Sequence, residues 1–410
     1  MRATERRRAY LVGVGETRYT KWGGITDASE HQLALEAILA AVADAGLAVD
    51  DVDGLVSFAA DRNDAIFLAT DLGLPELRFA AMVWLPGGGG ACAAVADAAL
   101  AVEAGQAEVV VVYRSLCQGQ FHRFGLGPGG SGRSAAHAPS LRRAVSLLDA
   151  ETAFTMPFGM FNPPIAYAMA MRRHMHLFGT TSEQMGEVAA TFRAHAGRNP
   201  RAVMGGRPMT LEDHQASRMV ADPFRLFDCC LENDGACALV VTTAERAADL
   251  AQLPVEVLGS AQGAPAGFGH GQYVNVNLPD ELYASGGGTA VARRLWEASG
   301  LGPEDVDVAQ LYDHFTGLVL MTLEDFGFCG RGEGGLFVDT GALAWPDGDL
   351  PSNTHGGSLS EAYIHGLNHV VEGVRQLRGQ STCPVVGAEV CLVTAASGVP
   401  TSAVLLGRGR

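Results

Sequence analysis

The sequence predicts an α/β protein built from two related halves, and three observations support this prediction. Short apolar segments of strand length alternate with Ala-rich segments of helix length, the pattern of helices that cover a sheet. The 410 residues are 48% apolar and 18% charged, which excludes a disordered chain and predicts a large buried core. A unit of helix, Gly-Leu, acidic turn and strand occurs twice, around Gly46–Asp53 and around Gly300–Asp307. The repeat indicates a duplication, so we expect an N-terminal half over 1–250 and a C-terminal half over 251–410.

In the N-terminal half, apolar runs and glycine stops define the predicted elements. The first apolar run predicts a strand at Tyr10–Val14, and the Ala-rich segment from Ala28 predicts a helix that Gly46 ends. The segment Ala91–Ala104 is almost wholly apolar, so we expect a helix in the middle of a large protein, with Gly105 as its stop. Two further buried strands are predicted at 55–58 and 109–113.

A stretch without regular pattern runs from Ser115 to about Pro164, and we assign residues of about 115–225 to an inserted loop region. Stretches of this length are usually functional in a compact enzyme. The Gly-rich run Phe124–Arg133 does not predict a phosphate-binding P-loop, because no Gly-Lys-Ser/Thr follows it. Beyond the run, the pattern predicts helices at 165–178, 182–196, 211–219 and 290–299, and strands at 236–242 and 308–312.

Charge and composition argue against several classes of function. The formal net charge of −16, without a long basic patch, argues against binding to nucleic acid. Lys21 is the only lysine and lies in an early polar loop, so Schiff-base catalysis is not expected. No Gly-x-Gly-x-x-Gly opens a helix after the first strand, so no dinucleotide cofactor is indicated.

Cysteine usage and hydropathy predict a cytoplasmic protein. The eight cysteines are scattered without a C-x-x-C pair, as expected of reduced thiols. The basic residues 1–8 are followed only by the strand-length run 9–15, which does not predict a signal peptide. No uninterrupted apolar stretch is long enough to predict a membrane span.

Three segments resemble a known family. Residues 171–201 and 227–241, the latter reading FDCCLENDGACALVV, resemble the thiolase domain of sterol carrier protein X and its bacterial lipid-transfer-protein-like relatives. Residues 351–379 are similar to the Asn…Gly-Gly…Gly-His-Pro region of the same superfamily. The resemblance covers nearly the whole chain and implies the thiolase fold, with five αβαβα layers and two halves related by a pseudo-twofold. It implies that helix 91–104 lies beside the helix after Gly366, and that the chain does not form one continuous sheet.

The chain departs from thiolases where a nucleophilic cysteine is expected. The family's spacing puts that cysteine near Gly88, within a run of four glycines. Cys92 lies about one helical turn further on, where a small buried apolar residue is the more ordinary interpretation. The second cysteine of the family should fall between Cys391 and Thr394, and no Cys-x-Gly-x-Gly is present there. We therefore expect no covalent acyl transfer through a cysteine.

Tyrosines stand at two catalytic positions of the family. Ala362-Tyr363-Ile364 occurs where Gly-His-Pro is expected, and Tyr312-Asp313-His314-Phe315 matches Asn-Glu-Ala-Phe. This combination, with the SEAY-x-HG-x-N segment at Ser360–Asn368, resembles the steroid side-chain-cleaving aldolases of the superfamily. The resemblance implies a retro-aldol cleavage of a β-hydroxyacyl-CoA, with a steroid side chain as the expected substrate, to a ketone and a short acyl-CoA such as propionyl-CoA.

Retro-aldol cleavage needs a base for the β-hydroxyl, a stabiliser of the thioester enolate and an acid for its carbon. The resemblance assigns both proton transfers to the tyrosine pair. A tyrosine base at pH 7 needs about 4 kcal/mol of phenolate stabilisation, which neighbouring histidines or a helix N-terminus would supply in part. The catalytic candidates are Tyr363, Tyr312, His314 and His365. The candidates for enolate stabilisation and substrate binding are Gly88, Gly89, Gly356, Gly357, Asn353 and His355.

The resemblance also implies partners. It predicts a homodimer that forms through a strand close to the nucleophile helix, and a small partner with an OB-fold and a zinc ribbon that completes a heterotetramer. Zinc is expected only in that partner, and no cofactor or metal is expected in this chain. His365 and His369 lie four residues apart, but no third ligand with suitable spacing accompanies them.

Two alternatives stay open from the sequence. One is a thiolase or acetyltransferase that uses Cys92 or Cys391 as its nucleophile. The other is a subunit without catalytic activity that binds acyl-CoA or sterol on a thiolase scaffold.

Overall fold

The computed structural model describes residues 7–59, 61–83, 87–120, 156–160, 162–265, 278–395 and 401–409. The strands are β1 (Ala9–Glu16), β2 (Thr20–Lys21), β3 (Gly54–Phe58), β4 (Phe79–Val83), β5 (Val109–Cys117), β6 (Met219–Ala221), β7 (Phe224–Arg225), β8 (Asn233–Thr243), β9 (Val255–Gly263), β10 (Val308–Gln310), β11 (Val390–Ala395) and β12 (Thr401–Arg408). The helices are α1 (Glu30–Ala45), α2 (Ala65–Leu72), α3 (Ala91–Glu103), α4 (Pro163–Phe178), α5 (Ser182–Ala196), α6 (Leu211–Ala216), α7 (Ala244–Ala247), α8 (Asp280–Tyr283), α9 (Thr289–Ser299), α10 (Thr316–Asp325), α11 (Gly334–Asp339), α12 (Gly357–Ser360) and α13 (Leu367–Arg378).

The main strands follow the order β10-β11-β12-β9-β1-β8-β5-β3-β4, with β2 paired to β8. Strands β1 to β8 of this path form its N-terminal part, and β9 to β12 form its C-terminal part. The two parts meet where β1 pairs antiparallel with β9, through Tyr10 opposite Glu256 and Leu11 opposite Val255. The expectation that there is no continuous sheet is therefore wrong at this seam, because a two-residue pairing joins the two parts at their edges.

Three apolar clusters divide the molecule into five layers. One cluster packs α1 and α2 against the outer face of the N-terminal part of the sheet. A second holds α3 and α13 between the two parts of the sheet. A third packs α4, α5, α9 and α10 against the outer face of the C-terminal part. The order helix, sheet, helix, sheet, helix confirms the predicted architecture, and α3 and α13 contact each other at its centre.

The repeated sequence unit forms the same local structure twice. Its two helices end at glycines in the left-handed region, Gly46 with φ of 74° and Gly300 with φ of 71°. Asp53 then accepts the N–H of the first residue of β5 at 2.9 Å, and Asp307 accepts the N–H of the first residue of β11 at 2.9 Å. Each aspartate ties the strand that follows it to the neighbouring strand, which explains why the acidic turn occurs in both copies.

Element boundaries differ from the predictions mainly in the inserted region. The helix predicted to run to Met219 ends at Ala216, because Met219 begins the hairpin strand β6. The predicted strand 109–113 continues to Cys117. The Gly-rich run 124–133 lies outside the described residues. Within the described part of the chain, no helix is both long enough and apolar enough to cross a bilayer.

Candidate active site

The fold brings the two predicted tyrosines into contact. Tyr312 follows β10, and Tyr363 lies in the turn between α12 and α13. Their hydroxyl oxygens are 2.8 Å apart, within hydrogen-bond distance. Tyr312 is only 1% exposed, whereas Tyr363 is half-buried. The pair therefore consists of an inner phenol and an outer one that lies nearer to solvent.

Side chains from distant segments fix the backbone beneath both rings. The N–H of Tyr312 donates to Thr394 Oγ1 at 3.0 Å, and the N–H of Tyr363 donates to Asn233 Oδ1 at 2.6 Å. The Asn353 amide accepts from the N–H of Leu311 at 2.7 Å and donates to the Leu311 carbonyl at 2.8 Å. The structure thus gives Asn353 a structural task, that of holding the residue before Tyr312.

Tyr312 occupies the space beside Gly88 that a side chain at that position would need. A Cβ added at Gly88 would lie 1.8 Å from the Tyr312 hydroxyl oxygen and 2.1 Å from Cζ. A Cβ at Gly366 would lie 2.8 Å from Cε2 of the same ring. Glycine at both positions therefore makes room for the phenol, and a cysteine at position 88 could not coexist with it.

The two candidate cysteines are poor nucleophiles. Cys92 is fully buried, and its thiol donates to the Val393 carbonyl at 3.4 Å. Burial raises the pKa of the Cys92 thiol far above its ordinary value, and it does the same for Cys391. Since the thiolate is the reactive form, the surroundings of both residues argue against covalent catalysis.

Tyr312 keeps its proton in this environment. Burial raises its pKa well above 10, and the hydrogen bond and the charge of the neighbouring Tyr363 act in the same direction. The surroundings of Tyr312 therefore do not stabilise the phenolate that a simple tyrosine base would need. A protonated phenol can still pass on one proton while it receives another.

His314 lies against the inner tyrosine as a neutral ring. Its centroid is 4.8 Å from that of Tyr312 and 4.6 Å from that of Tyr167. Burial lowers its pKa to about 3, and neither ring nitrogen has a hydrogen-bond partner among the described residues. The ring therefore supplies no positive charge to a phenolate near neutral pH.

His365 is held by a buried arginine. Nε and Nη2 of Arg114 lie 3.2 and 3.1 Å from His365 Nδ1, and Arg114 also pairs with Asp61. Because a guanidinium only donates, Nδ1 accepts and the proton of the ring is on Nε2. Burial and the Arg114 charge lower the His365 pKa well below 6.5, so this ring is neutral and lies 4.9 Å from that of Tyr363.

The second glycine pair faces an aspartate of the protein. The N–H of Gly356 donates to the Asn353 carbonyl at 2.8 Å, so in this structure it is engaged within the turn. Gly357 has φ of 63°, and a Cβ there would lie 2.0 Å from Asp313 Oδ2. Glycine is thus needed at position 357, because the backbone there lies close to Asp313. Gly88 and Gly89, buried at the start of α3, stay the predicted donors to an enolate.

Two groups that shape the site, Arg114 and Asn233, are not among the residues that the sequence predicts. Arg114 is the only charged residue in the buried strand β5, and this isolation in an apolar run was the signal that could have found it. Asn233 lies within the FDCCLEND segment, and only the tertiary structure connects it to Tyr363. His355, expected to bind substrate, contacts His369 with its Nε2 at 3.2 Å, and its part in substrate binding stays a prediction.

Comparisons with known proteins show what the chain resembles. Residues 279–407 match the family model described as thiolase C-terminal domain-like. The chain is 47% identical to the 17-hydroxy-3-oxo-4-pregnene-20-carboxyl-CoA lyase of Mycobacterium tuberculosis, over 97% of this chain and 99% of that protein. It is 46% identical to the steroid side-chain-cleaving aldolase of Thermomonospora curvata, over 98% of both chains. The solved structure of the Ltp2-ChsH2(DUF35) aldolase superposes with a TM-score of 0.87 at 43% identity, over 98% of both chains.

Proposed function

This chain belongs to the steroid side-chain-cleaving aldolases of the thiolase superfamily, and from this membership we propose that it cleaves a steroid side-chain β-hydroxyacyl-CoA by retro-aldol chemistry. The products are a ketone and a short acyl-CoA such as propionyl-CoA. The observation that carries the proposal is the contact between the hydroxyls of Tyr312 and Tyr363, 2.8 Å apart, beside Gly88, near which the family resemblance places the nucleophile of a thiolase.

The tyrosine pair acts as a proton relay. The β-hydroxyl of the substrate gives its proton to one phenol, which passes its own proton to the second phenol. The bond between the α- and β-carbons breaks, and its electron pair forms the thioester enolate. The second phenol gives its own proton to the α-carbon as it receives that of the first, so neither oxygen carries two protons and each tyrosine ends with one, as it began. A relay of this kind needs no lasting phenolate, which agrees with the raised pKa of Tyr312.

Enolate stabilisation falls to backbone N–H groups at the start of α3. The backbone N–H groups of Gly88 and Gly89, in the turn that leads into α3, are the donors in this proposal. The neutral imidazoles of His314 and His365 flank the pair and offer polarity without positive charge. The reaction is redox-neutral and leaves the proton count of the protein unchanged. The proposal includes no resident cofactor in this chain, and the CoA thioester enters as substrate.

The assembly includes a second copy of this chain. Strand β4 ends the sheet on the N-terminal side and pairs only with β3 among the described strands. Its five residues, Phe79–Val83, are all apolar and alternate between half-buried and exposed. An apolar edge strand of this kind is suited to pairing with its own copy. The opposite edge is covered, because Ala309 of β10 bridges to Ser352.

A small DUF35 partner with an OB-fold and a zinc ribbon completes a heterotetramer. The similar solved structure of the Ltp2-ChsH2(DUF35) aldolase supports this part of the proposal, since its name pairs the aldolase with a DUF35 protein. The eight free cysteines, five of them buried, support a reducing cytoplasmic location.

The test is a cleavage assay on the chain purified with its DUF35 partner. A steroid β-hydroxyacyl-CoA should yield ketone and short acyl-CoA in equal amounts. Tyr363→Phe, which removes only the hydroxyl, should reduce the rate about 10²–10⁴-fold. Tyr10→Phe is the matched control, because the Tyr10 hydroxyl contacts Glu256 at the seam of the sheet, away from the pair. Binding without cleavage would instead support the non-catalytic subunit.

A further inference from the structure

Behind the two tyrosines lies a row of buried polar side chains that the proton relay does not use. All of its members are at most 1% exposed. They are Asp313, His369, His355, Glu361 and Asn368, which we call the inner row. Buried polar groups need good hydrogen-bond geometry to avoid a large desolvation cost, so the contacts within this row constrain the segments that carry it.

One end of the inner row holds the segment of Tyr312. The Asp313 carboxylate accepts the N–H of Ser358 at 2.8 Å and the N–H of Leu359 at 3.2 Å. His369 Nε2 lies 3.1 Å from the same carboxylate. The same nitrogen lies within hydrogen-bond distance of Ser358 Oγ, at 3.1 Å, so His369 contacts both Asp313 and α12. The residue next to Tyr312 is thus fastened to α12 and to the first turn of α13.

The other end holds the segment of Tyr363. The Asn368 side-chain amide donates to the Ala362 carbonyl at 2.9 Å and to Glu361 Oε2 at 3.0 Å. These two residues directly precede Tyr363 in the chain. Asn368 precedes His369, so both ends of the row are attached to the same turn of α13.

Two imidazoles join the ends. His369 Nδ1 lies 3.2 Å from His355 Nε2, and His355 Nε2 lies 3.5 Å from Glu361 Oε2. Burial lowers the pKa of His355 well below 6.5 and raises the pKa of Glu361 to about 8, so this contact joins two neutral groups near pH 7. The inner row therefore connects Asp313, the residue after Tyr312, with the two residues that precede Tyr363.

We propose that His369 is a positioning residue, which acts through Asp313 on one side and His355 on the other to set the distance between the hydroxyls of Tyr312 and Tyr363. This inference rests on the proposed function, because it gives a purpose to the separation that the relay requires. His369 does not contact the reacting atoms in this account. Its effect on rate arises because a displacement of about 1 Å at a reacting group can cost about 10²-fold in rate.

The test compares two variants of His369 in the assembled enzyme. His369→Leu removes both hydrogen bonds and should lower kcat about 10²-fold with little change in KM. His369→Gln keeps a side-chain amide that can donate to Asp313, and it should restore most of the lost kcat. A role in stability alone would lower the melting temperature in both variants and would leave kcat of the folded enzyme unchanged.

A double-mutant cycle separates positioning from general damage. In a Tyr363→Phe background no hydroxyl pair remains to be positioned, so adding His369→Leu should lower the single-turnover rate by less than about threefold. If His369→Leu costs its full factor in that background, the inference is overturned. Asp313→Asn conserves volume and serves in the same cycle if His369→Leu does not fold. If Tyr363→Phe alone keeps wild-type activity, the proposed relay fails, an outcome distinct from the failure of the cycle.

Discussion

A methyl group at position 88 should disable the tyrosine pair. In Gly88→Ala the new Cβ would lie 1.8 Å from the Tyr312 hydroxyl oxygen, 2.1 Å from Cζ and 2.3 Å from Cε2. Since non-bonded carbon contacts are ordinarily about 3.5–4 Å, the ring must move by more than about 1 Å. That movement breaks the 2.8 Å contact with Tyr363. Alanine itself is not strained there, because the φ of Gly88 is outside the left-handed region.

The expected result follows from this displacement. Loss of the proton relay should lower kcat at least about 10²-fold, and the overpacked site should cost about 1–3 kcal/mol of stability. The assay is release of ketone and short acyl-CoA, with the melting temperature measured on the same preparations. Gly90→Ala is the matched control in the same turn, because its Cβ would meet Phe58 and Val83 at 3.1 Å or more and no tyrosine.

Gly90→Ala should therefore keep most of its activity and should cost less stability than Gly88→Ala. A folded Gly88→Ala enzyme with wild-type kcat would refute the reasoning, because it would show that Tyr312 can leave its observed position without consequence. Equal losses in the two variants would likewise show that the turn, and not the phenol, is what matters.

Three further predictions concern thiols, pH and assembly. Cys92→Ala and treatment with iodoacetamide should both leave cleavage intact, since the buried thiol takes no part; loss of activity in both would favour a cysteine enzyme. Burial raises the pKa of Glu361 from 4.5 to about 8, so near neutral pH the folded state binds a proton that the unfolded state has released. The free energy of unfolding should then fall as pH rises from about 5 to about 8, and Glu361→Gln should flatten this slope in urea titrations. Met82→Asp on β4 should convert the dimer to monomers in light scattering, whereas an unchanged dimer would exclude this strand as the interface.

The α/β class and the duplication were predictable from the residues because their signals are local, whereas the five layers came from the family resemblance. The two Gly-Leu units each end a helix and start a strand, and the almost wholly apolar segment at 91–103 can lie only in a core. The seam between β1 and β9 was not predictable, because a pairing of two residues leaves no periodic pattern. The pairing at this seam depends on how the N-terminal and C-terminal parts of the sheet pack against each other.

The tyrosines were found through their register with a family motif, but their surroundings were not. The ring of Tyr312 fills the space beside Gly88, although the two residues are far apart in the chain. The local sequence at neither position predicts this contact. The charge states also required the structure, since a histidine such as His314 is neutral here only because it is buried. Only the structure shows that the N–H of Gly356 already donates a hydrogen bond to the Asn353 carbonyl.

The central claim is that two tyrosine hydroxyls carry a proton from the β-hydroxyl to the α-carbon without any covalent intermediate. The most direct measurement is cleavage of a steroid β-hydroxyacyl-CoA in D₂O by the chain purified with the proposed DUF35 partner, with mass spectrometry of both products and of the intact protein. The short acyl-CoA should carry one deuterium at its α-carbon, ketone should form in an amount equal to that of the acyl-CoA, and the protein should stay unmodified. A requirement for free CoA, or an acyl group attached to a cysteine, would contradict it.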